Sequence, residues 1–149
     1  MAEAFCVLPG AYPRGLNVVG EIITVLASGA RTGGYEIFLQ QGGEGSGPPP
    51  HSHEWDESFY VTKGVVELTI SDETIEARAG TLVHLPAGTV HWFRFGPGGG
   101  EMLSMTSRAG ASKLFTEIDA EIPPGTHDMN QVAGIITKHG VKIAVPPTQ

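Results

Sequence analysis

A series of short apolar segments between residues 58 and 107 is the feature that most constrains how this chain can fold. The segments are rich in β-branched and aromatic residues, and glycine- or proline-containing turns separate them: SFYVTKG, VVELTI, TIEARAG, TLVHLPAG, VHWFRF and EMLSMTS. Strands that follow one another every eight to twelve residues or so are typical of an antiparallel sandwich or barrel. We therefore expect an all-β central body.

Two further strand-like runs precede this region. EIITVLA at residues 21–27 is apolar and β-branched, and YEIFLQQ at 35–41 alternates large apolar with polar residues, so the pair predicts a hairpin. The following GGEGSGPPP cannot form regular structure, because glycine is conformationally permissive and proline lacks a backbone donor. This loop leads directly into His51.

The character of the sequence changes after Arg108, where two short helices are expected. The first, ASKLFTEIDAEI, has an apolar stripe and ends at Pro123 and Pro124. The second begins after an N-cap at Thr126 or Asp128 and ends at Gly140 as its C′ residue. We expect one domain with an N-terminal arm (1–20), a β-barrel (21–108) and a helical segment packed on the barrel (109–149).

Composition excludes several classes of partner. Nine Lys and Arg against sixteen Asp and Glu give a net charge of −7, with no basic stripe for nucleic acid. No apolar run approaches the roughly 18 residues of a membrane span, and the opening residues do not resemble an export signal. Cys6 is the one cysteine, so no intrachain disulfide is possible. We expect a soluble, cytoplasmic protein that acts on a small molecule.

The segment HSHEWDE carries the candidate chemistry. His51, His53 and Glu57 occupy alternate positions, which point to one side if the segment is a strand. If His91 faces them from another strand, four N and O donors converge, as a divalent transition metal requires. The sequence therefore predicts one such ion per chain, which could be iron, manganese, nickel, cobalt, copper or zinc.

Some apolar residues point to the same side of their strands as the expected ligands, and we expect them to line a substrate pocket: Phe59, Val61, Phe93 and Phe95. The remaining histidines, His84, His127 and His139, are interpreted as structural hydrogen-bonding groups. Trp55 and Trp92 lie beside the expected ligands, and the sequence does not settle their roles.

These residues resemble the two motifs of the cupin superfamily. The first motif, G-x5-H-x-H-x3-E-x6-G, is matched at every fixed position by Gly45, His51, His53, Glu57 and Gly64. The resemblance implies a double-stranded β-helix, or jelly-roll, barrel.

The second motif, G-x5-P-x-G-x2-H-x3-N, is matched at four of its five fixed positions. Gly80, Pro86, Gly88 and His91 fit, whereas Phe95 stands where the family usually has Asn. Since that Asn is not a ligand, the ligand set is complete, but the contacts and polarity around residue 95 are expected to differ from those of the family.

The complete ligand set makes the chain look like small bacterial cupins related to quercetin 2,3-dioxygenases. The resemblance implies that the metal binds an acidic hydroxyl of an aromatic or polyphenolic substrate, that Glu57 accepts the proton, and that dioxygen then cleaves the ring. The same fold also serves polyketide cyclases, isomerases and non-enzymatic binding proteins, so these remain alternatives.

A homodimer is also expected. The segment before the barrel is rich in β-branched residues and would otherwise form an exposed edge strand, which pairing with a second subunit removes.

Overall fold

The computed structural model describes residues 3–125 and 128–144. These residues form mainly antiparallel strands, followed by two helices near the C-terminal end. In chain order the elements are a 3-10 turn (Pro9–Ala11), β1 (Leu16–Val18), β2 (Glu21–Ala27), α1 (Gly29–Thr32), β3 (Glu36–Gly42), β4 (His51–Ser52), β5 (Glu57–Ile70), β6 (Glu73–Arg78), β7 (Leu82–Leu85), β8 (His91–Thr106), α2 (Ala111–Glu121), α3 (Met129–Lys138) and β9 (Lys142–Ile143). Within these ranges, no helix has the length and apolar character needed to cross a lipid bilayer.

Two long, bent strands form the centre of the barrel. Strands β5 and β8 pair antiparallel along most of their lengths, from Glu57 opposite Thr106 to Ile70 opposite His91. The sequence pattern had divided each into two strands, because Gly64 and the glycines of residues 96–100 read as turns. In the structure they are bends: Gly64 has φ 73°, and a Cβ there would collide with the carbonyl oxygen of Gly99.

The hairpin expected before residue 42 is present. Strand β2 pairs with β3, and β3 pairs on its other side with the second half of β8, so the hairpin extends the same sheet. The glycine- and proline-rich residues 43–50 contain no strand or helix. The segment expected as an arm contributes the short strand β1, whose three residues pair with Glu21–Ile23.

The two C-terminal helices are confirmed. Asp128 is the N-cap of α3, and its carboxylate accepts hydrogen bonds from the backbone N–H groups of Asn130 and Gln131. Gly140 has φ 84°, in agreement with its expected place after the helix. The alternative N-cap, Thr126, and His127 lie outside the described residues.

A buried carboxylate anchors helix α2 to the sheet. Glu36 is fully buried at the start of β3 and accepts hydrogen bonds from the backbone N–H of Gly29 (2.8 Å), from the backbone N–H of Ser112 (2.9 Å) and from the Ser112 hydroxyl. Because Ser112 lies in the first turn of α2, an acidic group from the sheet caps a helix whose own N-cap residue offers no side chain.

The buried apolar residues form two clusters. One fills the inside of the barrel and includes Phe59, Val61, Phe93 and Phe95. The other lies between the β1–β3 region and the helices, where Ile23 and Phe38 pack with Leu114, Ile118, Val132 and Ile135. The helices therefore cover one mouth of the barrel, and the candidate site lies beneath them.

Candidate metal centre and cavity

Three histidines come together through strand pairing and a turn. His51 in β4 is directly opposite His91, the first residue of β8, and His53 follows immediately after β4. Glu57 begins β5 after the irregular residues 53–56. The side chains do not alternate along one strand, as the sequence analysis assumed, because the chain turns between Ser52 and Glu57.

The histidine cluster, defined as His51, His53 and His91, has the geometry of a metal site. One ring nitrogen from each residue lies within 4.8 Å of the others, so the three can hold a metal ion. His53 and His91 are 6% and 1% exposed, whereas His51 is half-buried and borders the cavity described below.

Backbone carbonyls orient all three imidazoles in the same way. The Nδ1 atoms of His51, His53 and His91 each lie 2.9 Å from a carbonyl oxygen, those of Pro49, Trp55 and Thr89 respectively. A carbonyl only accepts, so each Nδ1 carries the proton and donates. In its neutral form, a ring held in this way presents its Nε2 lone pair to the cluster, which is how histidine ligands are commonly fixed by their outer contacts.

Glu57 lies against two of these nitrogens. Its Oε1 is 3.2 Å from Nε2 of His53 and 3.2 Å from Nε2 of His91. If both rings are neutral with Nδ1 protonated, acceptor faces acceptor, and a cation is needed between them. Ligands bound to one ion at about 2.0–2.2 Å stand roughly 3–3.5 Å apart, so the spacing and the chemistry of the donors both fit a divalent transition metal.

Burial and mutual contacts determine the charge of the site. Burial, followed by the nearby His91, lowers the pKa of His51 to about 4, so this ring is neutral at pH 7. Burial alone would raise the pKa of the Glu57 carboxyl, but the close approach of the His53 and His91 rings outweighs it and holds the pKa at about 2. The site thus combines an anionic carboxylate with an uncharged imidazole donor.

A cavity of about 140 Å³ opens beside the cluster. Of the four residues expected to wall a substrate pocket, Phe59 and Phe93 line this cavity and Val61 and Phe95 do not. Both belong to the barrel core and are 1% exposed. The Phe95 ring fills the space where Gly42 would carry a Cβ, which explains how the barrel accommodates an aromatic ring at this position.

The residues whose roles were left open differ in their relation to the cavity. Trp55 lines it, is 7% exposed and stacks on His53 with ring centroids 4.2 Å apart. Trp92 instead lies under the Arg94 guanidinium, 5.0 Å away.

The remaining described histidines lie away from the cavity. His84 is exposed and 2.9 Å from the Ser58 hydroxyl, and His139 lies 3.0 Å from Glu117, so both make structural contacts.

Sequence reasoning missed the far wall of the cavity. Glu21 and Gln40 line it from β2 and β3, and the C-terminal helices and the segment after them supply apolar side chains: Leu114, Phe115, Ile118, Met129, Val132, Ile136, Val141 and Ile143. Glu21 could have been found, since it shares a strand face with the apolar Ile23 in EIITVLA. The contact of the helices with the site has no local signal in the sequence.

A curled antiparallel barrel with a candidate metal site beneath one mouth defines the protein as a jelly roll. Residues 37–104 match the family model described as a cupin domain, so the chain is a cupin. The jelly-roll fold expected from the motifs is thereby confirmed.

A curated relative points in the same direction. The chain is 33% identical over 111 residues to quercetin 2,3-dioxygenase of Bacillus subtilis (strain 168), a match that covers 70% of this chain. The chain spans only 33% of the length of that relative.

Solved structures share the fold at lower identity. KdgF from Halomonas sp. superposes with a TM-score of 0.65 at 18% identity, covering 71% of this chain and 94% of KdgF. The polyketide cyclase RemF from Streptomyces resistomycificus gives a TM-score of 0.61 at 20% identity, covering 72% and 80% of the two chains. At these identities the likeness concerns the fold alone.

Proposed function

We propose that this protein is a metal-dependent enzyme acting on a small hydroxylated aromatic molecule, as a dioxygenase of the quercetinase type. One observation carries the proposal: three imidazoles with Nδ1 tied to carbonyls converge beside a mostly apolar cavity, and two of them, His53 and His91, place Nε2 3.2 Å from the buried Glu57 carboxylate. The 33% identity to quercetin 2,3-dioxygenase supports this reaction class.

In this proposal His51, His53, His91 and Glu57 hold one divalent ion per chain. Iron, manganese, nickel, cobalt, copper and zinc all suit such a donor set. When bound, the metal supplies Lewis acidity, which lowers the pKa of a coordinated substrate hydroxyl.

Glu57 accepts the proton of that hydroxyl. It is the one carboxylate in direct contact with the cluster among the described residues, and it is ionised at neutral pH. Phe59, Phe93 and Trp55 exclude water and present aromatic surface to a planar substrate.

The runner-up is a cyclase or isomerase reaction at the same centre, in which a carbonyl is polarised and no oxygen is consumed. The polyketide cyclase RemF has the same fold, which supports a cyclase reaction as the second candidate. A binding protein without turnover is the third candidate.

Oxygen uptake separates these three. Protein loaded with each metal in turn is assayed against flavonols and single-ring phenols, with an oxygen electrode and mass analysis of the products. The proposal expects oxygen consumption matched to substrate loss and abolished by His91→Gln, with His139→Gln as the matched surface control. Conversion without oxygen uptake would establish the cyclase reading, and binding without conversion would establish the third.

A further inference from the structure

A buried carboxyl and a buried amide form a second polar point in the cavity wall. Glu21 and Gln40 are 6% and 4% exposed, and Gln40 Nε2 donates to Glu21 Oε1 at 3.1 Å. Among the described residues that line this cavity, Glu21, Gln40 and Glu57 are the ones whose side chains carry a carboxyl or amide group. The other lining side chains are almost all apolar.

The hydrogen bonding of this pair is incomplete, in contrast to that of another buried carboxylate in the chain. Glu36 accepts three hydrogen bonds, which connect the sheet to α1 and α2. Among the described residues, Gln40 is the one group that hydrogen-bonds the Glu21 carboxyl.

The pair is also unnecessary for joining its two strands. Glu21 and Gln40 lie on β2 and β3, which already pair through their backbones. Buried polar groups cost free energy unless they are satisfied, so an apolar pair would serve the fold better. The unused donor and acceptor capacity is therefore available to a ligand.

The chemistry of the pair favours a neutral hydroxyl. Burial raises the pKa of Glu21 to about 8 and outweighs the opposing hydrogen bond from Gln40, with a smaller upward contribution from nearby Glu57, so the carboxyl of the metal-free protein is mainly protonated at pH 7. A protonated carboxyl beside an amide both donates and accepts, as a hydroxyl does.

The size of the cavity limits the ligand to about one ring. Its volume of about 140 Å³ is close to the roughly 150 Å³ of an engineered cavity that binds benzene in another protein. Glu21 and Gln40 line this space together with His51, His53 and Glu57, so one small molecule can reach both groups.

We propose that Glu21 and Gln40 form a second subsite that binds a neutral hydroxyl of a single-ring substrate whose other oxygen substituent lies at the histidine cluster. This inference rests on the proposed function, since it requires a hydroxylated aromatic at the metal centre. It assigns a substrate class, an aromatic ring with two separated hydroxyl groups, in preference to a three-ring flavonol.

The test uses the Co(II)-loaded protein without oxygen, with phenol, resorcinol and hydroquinone as probes. Catechol is omitted, because its adjacent hydroxyls can both bind one metal. The visible absorption of cobalt reports binding at the metal, and calorimetry gives the affinity. We expect resorcinol or hydroquinone to bind at least about tenfold more tightly than phenol, as two added hydrogen bonds to a prepared site imply.

Variants separate the subsite from a general effect on the fold. Gln40→Met and Glu21→Leu should reduce the preference over phenol to about twofold or less and leave phenol affinity unchanged. Glu21→Gln, which still donates and accepts, should retain most of the preference. Thr24→Val is the matched control, because Thr24 is buried on the same strand but does not line the cavity.

Gln40→Met guards against misfolding, since it keeps the length of the side chain and introduces no charge. If phenol and both diols perturb the cobalt spectrum with equal affinity, or if both apolar variants keep the preference, the subsite is refuted while the proposed function stands. If no probe alters the spectrum of the loaded protein but a flavonol does, this inference fails alone; if no flavonol alters it either, the proposed function fails with it.

Discussion

His51 and His91 face each other as directly opposed residues of strands β4 and β8, with ring centroids 4.3 Å apart. This cross-strand pair joins the two sequence motifs, because His51 belongs to the first and His91 to the second. The position of each ring therefore depends on correct pairing of the barrel.

The first prediction concerns metal content. We expect about one divalent ion per chain in protein purified without chelators, and His51→Ala or His91→Ala should lose most of it by elemental analysis. His139→Ala is the control, since His139 contacts Glu117 at the helices. Equal loss in all three variants would show that the ligands are wrongly assigned.

The second prediction concerns Phe95, which replaces the Asn usual in the family. The ring is 1% exposed and contacts the backbone positions of Gly42 and Gly100. Phe95→Asn should lower the free energy of unfolding by roughly 3–5 kcal/mol, since it leaves a cavity and buries an amide. Denaturant unfolding measures the change, with Trp92→Asn as the comparison. A loss below about 1 kcal/mol would contradict this packing.

Much of the fold could be predicted from the sequence, because alternation and turn residues act locally. The hairpin and the helices followed from such patterns, and the structure brings together the three histidines expected as ligands, His51, His53 and His91. The continuity of β5 and β8 did not, since a glycine that ends a strand and one that bends it look alike. Val61 was assigned to the pocket by alternation, but the depth of a residue within a barrel depends on tertiary packing.

The third prediction is a homodimer. Strand β1 covers part of the edge of β2 that was expected to be free. Three residues of β1 still leave an edge for a second subunit to pair with. Light scattering at micromolar concentration should give twice the chain mass, and a monomer mass would refute the prediction.

The fourth prediction is a pH dependence of stability due to Glu21. Its pKa is raised from 4.5 to about 8 in the folded protein, so its stabilising contribution is complete below about pH 4.5 and is lost as pH rises to about 8. Relative to Glu21→Gln, with both proteins free of metal, the native protein should lose roughly 3 kcal/mol of unfolding free energy between about pH 5 and pH 8. Parallel pH profiles for the two proteins would show that Glu21 is not held protonated.

The fifth prediction separates the two possible roles of Glu57, whose Oε1 lies 3.2 Å from both His53 Nε2 and His91 Nε2. A glutamine keeps an oxygen donor at this position, but it cannot accept a proton as a carboxylate does. Glu57→Gln should therefore retain much of its metal and lose at least about a hundredfold in turnover, the usual scale of a general base. His91→Gln is the matched variant, and it should lose metal and activity together because it removes an imidazole donor. Metal content and rate must be measured on the same samples, with the substrate identified by oxygen uptake. If fully loaded Glu57→Gln protein turns over at close to the native rate, Glu57 is a ligand only, and proton transfer must be assigned to another group in the cavity.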